Sequence, residues 1–331
     1  MNATSYVDVE FVSKLTVGIF PLPLIIGIFG NVLAISIVSC NSSMKTTINL
    51  LIASLSLADL LFLVICVPPT GVVYVLKYWP FGDLACRVWM YVSYVAAYAS
   101  VYTLVLMTLY RYFAVVRPFT FKLLRSRKIW CHGIVAMWII ILMANPHALW
   151  MHGQTAGNRP LQKYCNFIDK ENHPSFQIVF FTMSYVLPLL MIVCLYIMML
   201  VRLWGGSAPG GRCSVESRRG KRRVTRMVLV VVAIFAICWC PIQVILVLKS
   251  VKLYPMSTSS VMLQIVSQVL AYINSCVNPI LYAFLSENFR KAFRKVIYCG
   301  PRGGQNAANG RQNDAEKSAL TKTTRGTNDI I

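Results

Sequence analysis

Asn278-Pro279-Ile280-Leu281-Tyr282 lies near the end of a long uncharged stretch of this 331-residue chain. Proline has no backbone N–H, and its ring presses on the preceding turn, so a proline inside a helix kinks that helix. In a lipid bilayer, the carbonyl freed by the kink must find a partner within the protein. We therefore predict a kinked membrane-spanning helix here, of the kind that moves in a signalling protein.

Six similar stretches precede it, and the set predicts an all-α membrane protein, a seven-transmembrane helix bundle. Hydrophobic residues make up 57% of the chain and charged residues 13%. The gaps between charged residues give candidate spans at 15–44, 46–76, 88–110, 129–158, 172–201, 227–248 and 253–286. The shortest has 22 residues, more than the roughly 20 that cross the hydrocarbon core. Soluble helices carry a charged face, whereas the only formal charge in these stretches is Asp59.

The basic residues are concentrated in alternate loops. The formal net charge is +21, with six basic residues in 111–128, eight in 202–226 and nine after 286. This alternation follows the positive-inside rule and predicts a plasma-membrane protein with its N-terminus outside and its C-terminus inside. The basic run at 218–223 resembles a nuclear-localisation sequence. A solvated helix extension near anionic lipid explains it better, so no nucleic-acid partner is expected.

Four segments follow from this topology: an outer N-terminus at 1–14, a helical domain at 15–286, an amphipathic eighth helix at 287–299 and a disordered cytoplasmic tail at 300–331. Asn2 begins a glycosylation sequon on the outer side. The eighth helix, aromatic on one side and basic on the other, is expected to lie against membrane lipid, with palmitoylation at Cys299. Threonines recur every third position from 321 to 327, where phosphorylation would favour arrestin binding; a merely solvated tail fits equally well.

Of the eleven cysteines, only Cys86 and Cys165 fall outside the membrane on the oxidising side. A disulfide between them would tie the loop between the fourth and fifth spans across the mouth of the bundle.

Asp59 predicts a polar cluster inside the bundle, because a carboxylate near mid-membrane is costly unless it is paired or solvated. Polar residues expected at matching depth are Asn31, Ser100, Asn274, Ser275 and Asn278. Together they offer oxygen ligands for a sodium ion. A purely structural polar cluster is the alternative.

The sixth span carries a second proline kink beside a large ring. Trp239 lies two residues before Pro241, and Phe235 is one turn inward, four residues before Trp239. A kinked helix can swing one end when its core contacts repack. We interpret these residues as an activation switch, although each proline alone is also consistent with a static kink.

These residues occur in the order and spacing of a known family. The motifs are Gly30-Asn31, Leu55-Ser56-Leu57-Ala58-Asp59, Trp79-Pro80-Phe81-Gly82, Cys86, Arg111-Tyr112, Trp138, Pro188, Tyr196, Trp239 with Pro241, and 278–282. Over nearly the whole chain they resemble the rhodopsin-like G-protein-coupled receptors. Within that family, 94–111 and 248–251 are most similar to the invertebrate allatostatin-A receptors, relatives of the galanin receptors.

The resemblance implies roles for the matching positions. Arg111 would hold the inactive state and contact a heterotrimeric G protein, with Tyr196 and Tyr282 swinging towards it. The acid usual before this arginine is replaced by Tyr110, and a second acid is replaced by Lys221. A lost charge-assisted hydrogen bond is worth roughly 1.5–3 kcal/mol, so we predict ligand-free signalling.

The ligand is expected to be a short peptide. Ser93 stands where receptors for cationic amines carry a carboxylate, and Tyr272 stands where retinal pigments carry a lysine. The predicted peptide-facing residues are Ser93, Tyr94, Asn166, Phe167, Asp169, Gln243, Lys249, Gln264, Gln268 and Tyr272. The resemblance implies a peptide with an amidated Phe-Gly-Leu end and Gi/o coupling. Glutamine amides would suit the amide end, although each residue is also consistent with packing.

Other functions fit less well. Another neuropeptide of the galanin, somatostatin or opioid type remains an alternative ligand. A seven-helix transporter or channel would usually contain an internal repeat, and none is evident. The four histidines lack metal-ligand spacing, and no enzymatic activity or cofactor, apart from an allosteric sodium ion, is expected.

Overall fold

The computed structural model describes residues 9–41, 44–157, 162–204, 215–255, 257–285 and 289–290. Seven helical spans in this part of the chain are long and apolar enough to cross a membrane: Ser13–Cys40, Thr47–Leu76, Asp83–Val116, Arg127–Met151, His173–Arg202, Leu229–Ser250 and Thr258–Tyr282. Each overlaps one predicted span, so the predicted seven-helix bundle is confirmed. Asn2, Cys299, the tail threonines and all of the predicted eighth helix except 289–290 lie outside the described residues.

The described residues form twelve α-helices and one hairpin. The helices are α1 Val9–Ile19, α2 Pro21–Cys40, α3 Thr47–Leu61, α4 Val67–Leu76, α5 Asp83–Val116, α6 Pro118–Leu124, α7 Arg127–Ala144, α8 His147–Met151, α9 His173–Phe181, α10 Leu187–Trp204, α11 Val215–Ser250 and α12 Thr258–Leu285. The strands are β1 His152–Ala156 and β2 Lys163–Phe167. Two π-helical turns, Phe62–Cys66 and Thr182–Val186, join α3 to α4 and α9 to α10.

The third and fourth spans depart from their predicted boundaries. The third span begins at Asp83 rather than 88 and continues to Val116 rather than 110. Asp83 and Arg87 lie in the first turns of α5 and pair at 2.6 Å, so charge there does not end the helix. The fourth span ends at Met151 rather than 158, because the chain turns into β1 at His152.

Prolines explain the segmented helices. Pro21 begins α2, and Pro68 and Pro188 each lie two residues after a π-helical turn. A proline cannot donate to the helix ladder, and a π turn accommodates the mismatch without ending the span. Pro241 and Pro279 instead lie inside α11 and α12.

The kink at Pro279 is stabilised by the first span. Pro279 cannot bond the carbonyl of Ser275 four residues earlier, and Asn31 Nδ2 donates to that oxygen at 2.8 Å. Gly30 lets the helices meet, because a Cβ there would lie 3.1 Å from the Pro279 Cβ. The partner that a membrane requires for the freed carbonyl is therefore an asparagine side chain on a neighbouring helix.

An antiparallel hairpin covers one end of the bundle. β1 and β2 pair with Gln154 opposite Cys165. Cys165 forms a disulfide with Cys86 near the start of α5, with their Cα atoms 5.5 Å apart. The Trp79 N–H adds a hydrogen bond to the Lys163 carbonyl at 2.7 Å. The hairpin is thus tied to the third span and to the loop that joins the second and third spans.

Candidate ligand cavity and switch residues

A cavity of about 380 Å³ lies between the helices under the hairpin. Its volume is within the range of small-ligand sites. Seven of the ten residues predicted to face a peptide line it: Ser93, Tyr94, Asn166, Phe167, Gln264, Gln268 and Tyr272. They come from the third span, β2 and the seventh span, so residues far apart in the chain meet around one space. No Asp, Glu, Lys or Arg is among the described residues that line this cavity.

Three predicted residues lie outside the cavity lining. Asp169 accepts hydrogen bonds from the backbone N–H groups of Glu171 and Asn172 and from Asn172 Nδ2 at 2.6 Å. The bonds from the Asn172 side chain and backbone are the main cause that lowers the pKa of Asp169. Asp169 therefore stabilises its own loop rather than facing the ligand cavity.

The other two make contacts between spans. Gln243 is buried, and its Nε2 donates to Ser184 Oγ at 3.1 Å, joining the sixth span to the fifth. Lys249 Nζ donates to Gln264 Oε1 at 2.5 Å and lies 5.7 Å from the Tyr254 ring centroid. Lys249 thus influences the cavity through Gln264, whose amide group it orients.

Sequence reasoning missed His152, the first residue of β1, which lines the cavity. Its Nδ1 lies 3.0 Å from the Ala148 carbonyl, and its Nε2 lies 3.2 Å from the Tyr94 hydroxyl. The Phe167 ring packs edge-on against it at 4.7 Å. Burial lowers the pKa of His152 to about 4. The ring is therefore neutral, donating to Ala148 from Nδ1 and accepting the Tyr94 proton at Nε2.

The amino-acid sequence gives only a weak indication that His152 faces the cavity. The spacing of the histidines argues only against metal binding, and no group of His, Cys, Asp and Glu able to hold a metal occurs in the described part of the chain. His173 and Gln177 also line the cavity. The outer loop sequence shows neither the hairpin nor the direction in which these side chains point.

Trp239 forms part of the cavity wall and connects it to the core. Its ring lies 5.4 Å from Phe62 and 6.1 Å from Phe235, and Phe62 also lies 5.7 Å from Tyr272. The Trp239 indole N–H is buried and has no hydrogen-bond partner among the described residues. A ligand entering the cavity would touch the ring that lies two residues before the Pro241 kink.

Deeper in the bundle, Asp59 bonds to two residues of the predicted polar cluster, Asn278 and Ser275. Asn278 Nδ2 donates to Asp59 Oδ2 at 2.8 Å, and Ser100, Asn274 and Ser275 are all buried. In the described structure, Ser100 Oγ and Asn278 Oδ1 are buried without a hydrogen-bond partner. Oxygen donors of this kind suit a hard cation, so the residues present fit a sodium ion.

Arg111 lies near the C-terminal end of α5, and no carboxylate lies beside it among the described residues. The two ion pairs found among the described residues are Lys14–Glu10 and Arg87–Asp83. Arg111 Nε is buried with no hydrogen-bond partner there, and its guanidinium carbon lies 5.8 Å from the Tyr110 ring centroid. The side chain of Lys221 is outside the described part of the structure.

Tyr110 instead belongs to an aromatic cluster. Its ring meets Phe121 of α6 at 5.4 Å and Trp130 of α7 at 5.0 Å, both edge-to-face. Trp130 Nε1 donates to the Leu124 carbonyl at 2.8 Å. The residue that replaces the usual acid thus packs the short loop helix α6 against the bundle.

The two remaining tyrosines of the predicted switch are buried. Tyr196 is near enough to Arg111 for the two to interact electrostatically. Tyr282 is fully buried, its ring lies 6.0 Å from Phe289, and its hydroxyl has no partner among the described residues.

Comparison with known proteins gives a consistent result. Residues 30–282 match the 7 transmembrane receptor (rhodopsin family). An allatostatin-A receptor of Bombyx mori is 50% identical over 281 residues, covering 84% of this chain and 78% of that protein. Galanin receptor 2a of Danio rerio is 32% identical over 284 residues, covering 85% and 77%. Galanin receptor type 2 of Homo sapiens is 32% identical over 280 residues, covering 84% and 71%.

Proposed function

This chain belongs to the rhodopsin family of seven-transmembrane receptors, and from that premise we propose that it binds a short amidated peptide of the allatostatin-A type. The family consists of plasma-membrane receptors that signal through G proteins, not of enzymes, transporters or channels. The similarity of this chain to allatostatin-A and galanin receptors supports its assignment as a neuropeptide receptor. The identity of the peptide is the part that we propose.

One observation carries the proposal: no formally charged residue is among the described residues that line the cavity. A free carboxylate or an ammonium group would find no counter-charge in this lining, since the nearby Lys249 Nζ already donates to Gln264, and burying an unpaired ion is costly. An amidated C-terminus is neutral and needs only hydrogen-bond partners.

The two glutamines of the seventh span can supply the hydrogen-bond partners of an amidated C-terminus. Gln268 Oε1 is buried without a partner in the described structure and can accept an amide N–H of the peptide. The oxygen of Gln264 already accepts from Lys249, which leaves its NH₂ group to donate to a peptide carbonyl. An apolar Phe or Leu side chain would pack on Phe167, Phe180 and Trp239.

Activation would follow from contact with Trp239. Repacking of Trp239 against Phe62 and Phe235 would change the contacts of the Pro241 kink and move the cytoplasmic end of the sixth span. Tyr196 and Tyr282 would then engage Arg111. A sodium ion at the Asp59 cluster would favour the inactive arrangement by holding the second, third and seventh spans together.

The remaining partners are proposed on the sequence. We place the N-terminus outside with glycosylated Asn2, and the C-terminus inside with a lipid-bound eighth helix, palmitoylated Cys299 and an arrestin-binding tail. Gi/o is the proposed G-protein class, on resemblance to the galanin group.

The test is G-protein activation in transfected cells with amidated Phe-Gly-Leu peptides, the matching free acids, galanin, somatostatin and opioid peptides. We expect the amides to activate and the free acids to fail. In Gln268→Leu, the amide peptide should lose about tenfold to 100-fold in potency, because a buried amide group loses its hydrogen bond. Gln154→Leu is the matched control: this hairpin glutamine is not among the lining residues. A response to galanin alone would refute the peptide class while leaving the receptor family intact.

A further inference from the structure

Gln177, near the start of the fifth span, has a buried side-chain amide whose nitrogen is unpaired. It lies in α9, lines the ligand cavity and is only 3% exposed. Its Nε2 has no hydrogen-bond partner among the described residues. A buried donor without an acceptor costs free energy, so such a group is expected to have a partner that the isolated chain does not supply. The position of the amide in the cavity lining makes a bound ligand that partner.

Donors on the second-span and third-span side of the same cavity are already bonded within the protein. Ser93 Oγ donates to the Trp89 carbonyl at 2.7 Å. Thr70 Oγ1 and Trp89 Nε1 both donate to the Cys66 carbonyl, at 2.7 Å and 3.3 Å. A ligand that used one of these donors would have to displace an existing hydrogen bond. Gln177 Nε2 can donate without that loss, which directs an acceptor group of the ligand towards the fifth span.

The chemistry of the ligand identifies the acceptor. The side chains of Phe, Gly and Leu contain no hydrogen-bond acceptor, so an amidated Phe-Gly-Leu end offers only its backbone carbonyls. Gln264 and Gln268 of the seventh span serve the terminal amide, which leaves an upstream carbonyl for the fifth span. We propose that Gln177 Nε2 donates to the backbone carbonyl of the Phe or the Gly residue of the peptide, so that the bound peptide bridges the seventh and fifth spans. This contact rests on the proposed function.

The surroundings of Gln177 suit an apolar peptide segment. Phe180, Tyr94 and Phe167 also line the cavity, and the Phe180 ring meets Tyr94 edge-on at 4.8 Å. An apolar peptide side chain packed on these rings would exclude water from the Gln177 amide. A hydrogen bond in such a dry environment is stronger than one in water. The aromatic wall and the unpaired amide thus act on the same part of the peptide.

The contact can be tested by competition binding to the full-length receptor in lipid nanodiscs. The probes are a peptide that ends in Phe-Gly-Leu amide and two analogues, in which a carbon–carbon double bond replaces either the Phe-Gly or the Gly-Leu amide bond. We expect one analogue to bind the unmodified receptor about tenfold less tightly than the parent peptide. Gln177→Met should weaken the parent peptide about tenfold, and that analogue should then bind as tightly as the parent, because both partners of the bond are absent.

The stability of the ligand-free receptor separates a ligand contact from a structural role. Gln177→Met removes an unpaired buried amide, so the unfolding temperature should rise. Gln154→Met is the matched control, because Gln154 Nε2 donates to the Trp79 carbonyl at 3.3 Å and the residue is not among the lining residues. This control should not raise the unfolding temperature, and the tenfold difference between parent and analogue should persist in it.

Two results would overturn the contact and leave the peptide class intact. One is the same ratio of parent to analogue affinity in Gln177→Met and the unmodified receptor, for both analogues. The other is a lower unfolding temperature in Gln177→Met, which would show that the amide is already used within the protein. If the unmodified receptor does not bind the parent peptide, the proposed function is refuted and this contact with it.

Discussion

Restoring an acid at position 110 should suppress ligand-free signalling. Arg111 has no carboxylate within ion-pair distance among the described residues, and its neighbour is an aromatic ring. In Tyr110→Asp the new carboxylate would accept a charge-assisted hydrogen bond from the guanidinium in the inactive state. Such a bond is worth roughly 1.5–3 kcal/mol.

The same substitution removes the Tyr110 ring from Phe121 and Trp130. Each edge-to-face pair contributes about 0.5–1.5 kcal/mol, and losing both would loosen α6. Tyr110→Asn is the matched control, because it removes the same ring without adding a charge. The difference in ligand-free signalling between Tyr110→Asp and Tyr110→Asn therefore isolates the effect of the ion pair. It corresponds to about a tenfold to 100-fold lower active population, since 1.36 kcal/mol is one factor of ten.

The assay is guanine-nucleotide exchange on a purified G protein without agonist, at matched receptor surface density. We expect high basal exchange in the unmodified chain, low exchange in Tyr110→Asp, and an intermediate or raised level in Tyr110→Asn. Tyr110→Phe retains the ring and should leave basal exchange unchanged. Identical basal exchange in the Asp and Asn variants would refute the idea that a missing carboxylate sets the activity of this receptor.

The other predictions concern stability, each measured by thermal unfolding of the purified receptor. Asn31→Leu leaves the Ser275 carbonyl unpaired beside Pro279 and should lower the free energy of unfolding by about 1–3 kcal/mol. Asn41→Leu is the control and should lower it less, because the Asn41 side-chain amide donates within its own helix. Equal losses of stability in the two variants would contradict the role of Asn31. The pKa of His152 in the folded state, about 4, is below its value in the unfolded state. The stabilisation from the neutral ring is therefore complete above about pH 6.5 and is lost as the pH falls towards 4. Lowering the pH from about 7.5 to about 5.5 should therefore cost ~1.3 kcal/mol. His152→Gln should remove this pH dependence, and an unchanged profile would refute its assignment to His152.

The sequence alone was enough to predict the seven spans and the family of this protein. Seven long runs that together contain a single formal charge, Asp59, predict seven spans, because a bilayer accepts few charges and requires every backbone bond to be satisfied internally. The proline in 278–282 predicts a freed carbonyl, although Asn31, expected near Asp59, was found to be its partner only in the structure. The same motifs, read together, identify the family.

Only the tertiary structure decided which polar side chains share a cavity. Gln243 and Gln268 are alike in sequence, yet Gln243 turns to Ser184 and Gln268 faces the ligand space. The hairpin brings His152 over the same cavity, and Tyr110 anchors α6 instead of restraining Arg111. The physical reason is that a helical repeat specifies which face a residue occupies, whereas its partner is supplied by another helix, brought near by packing of the whole bundle.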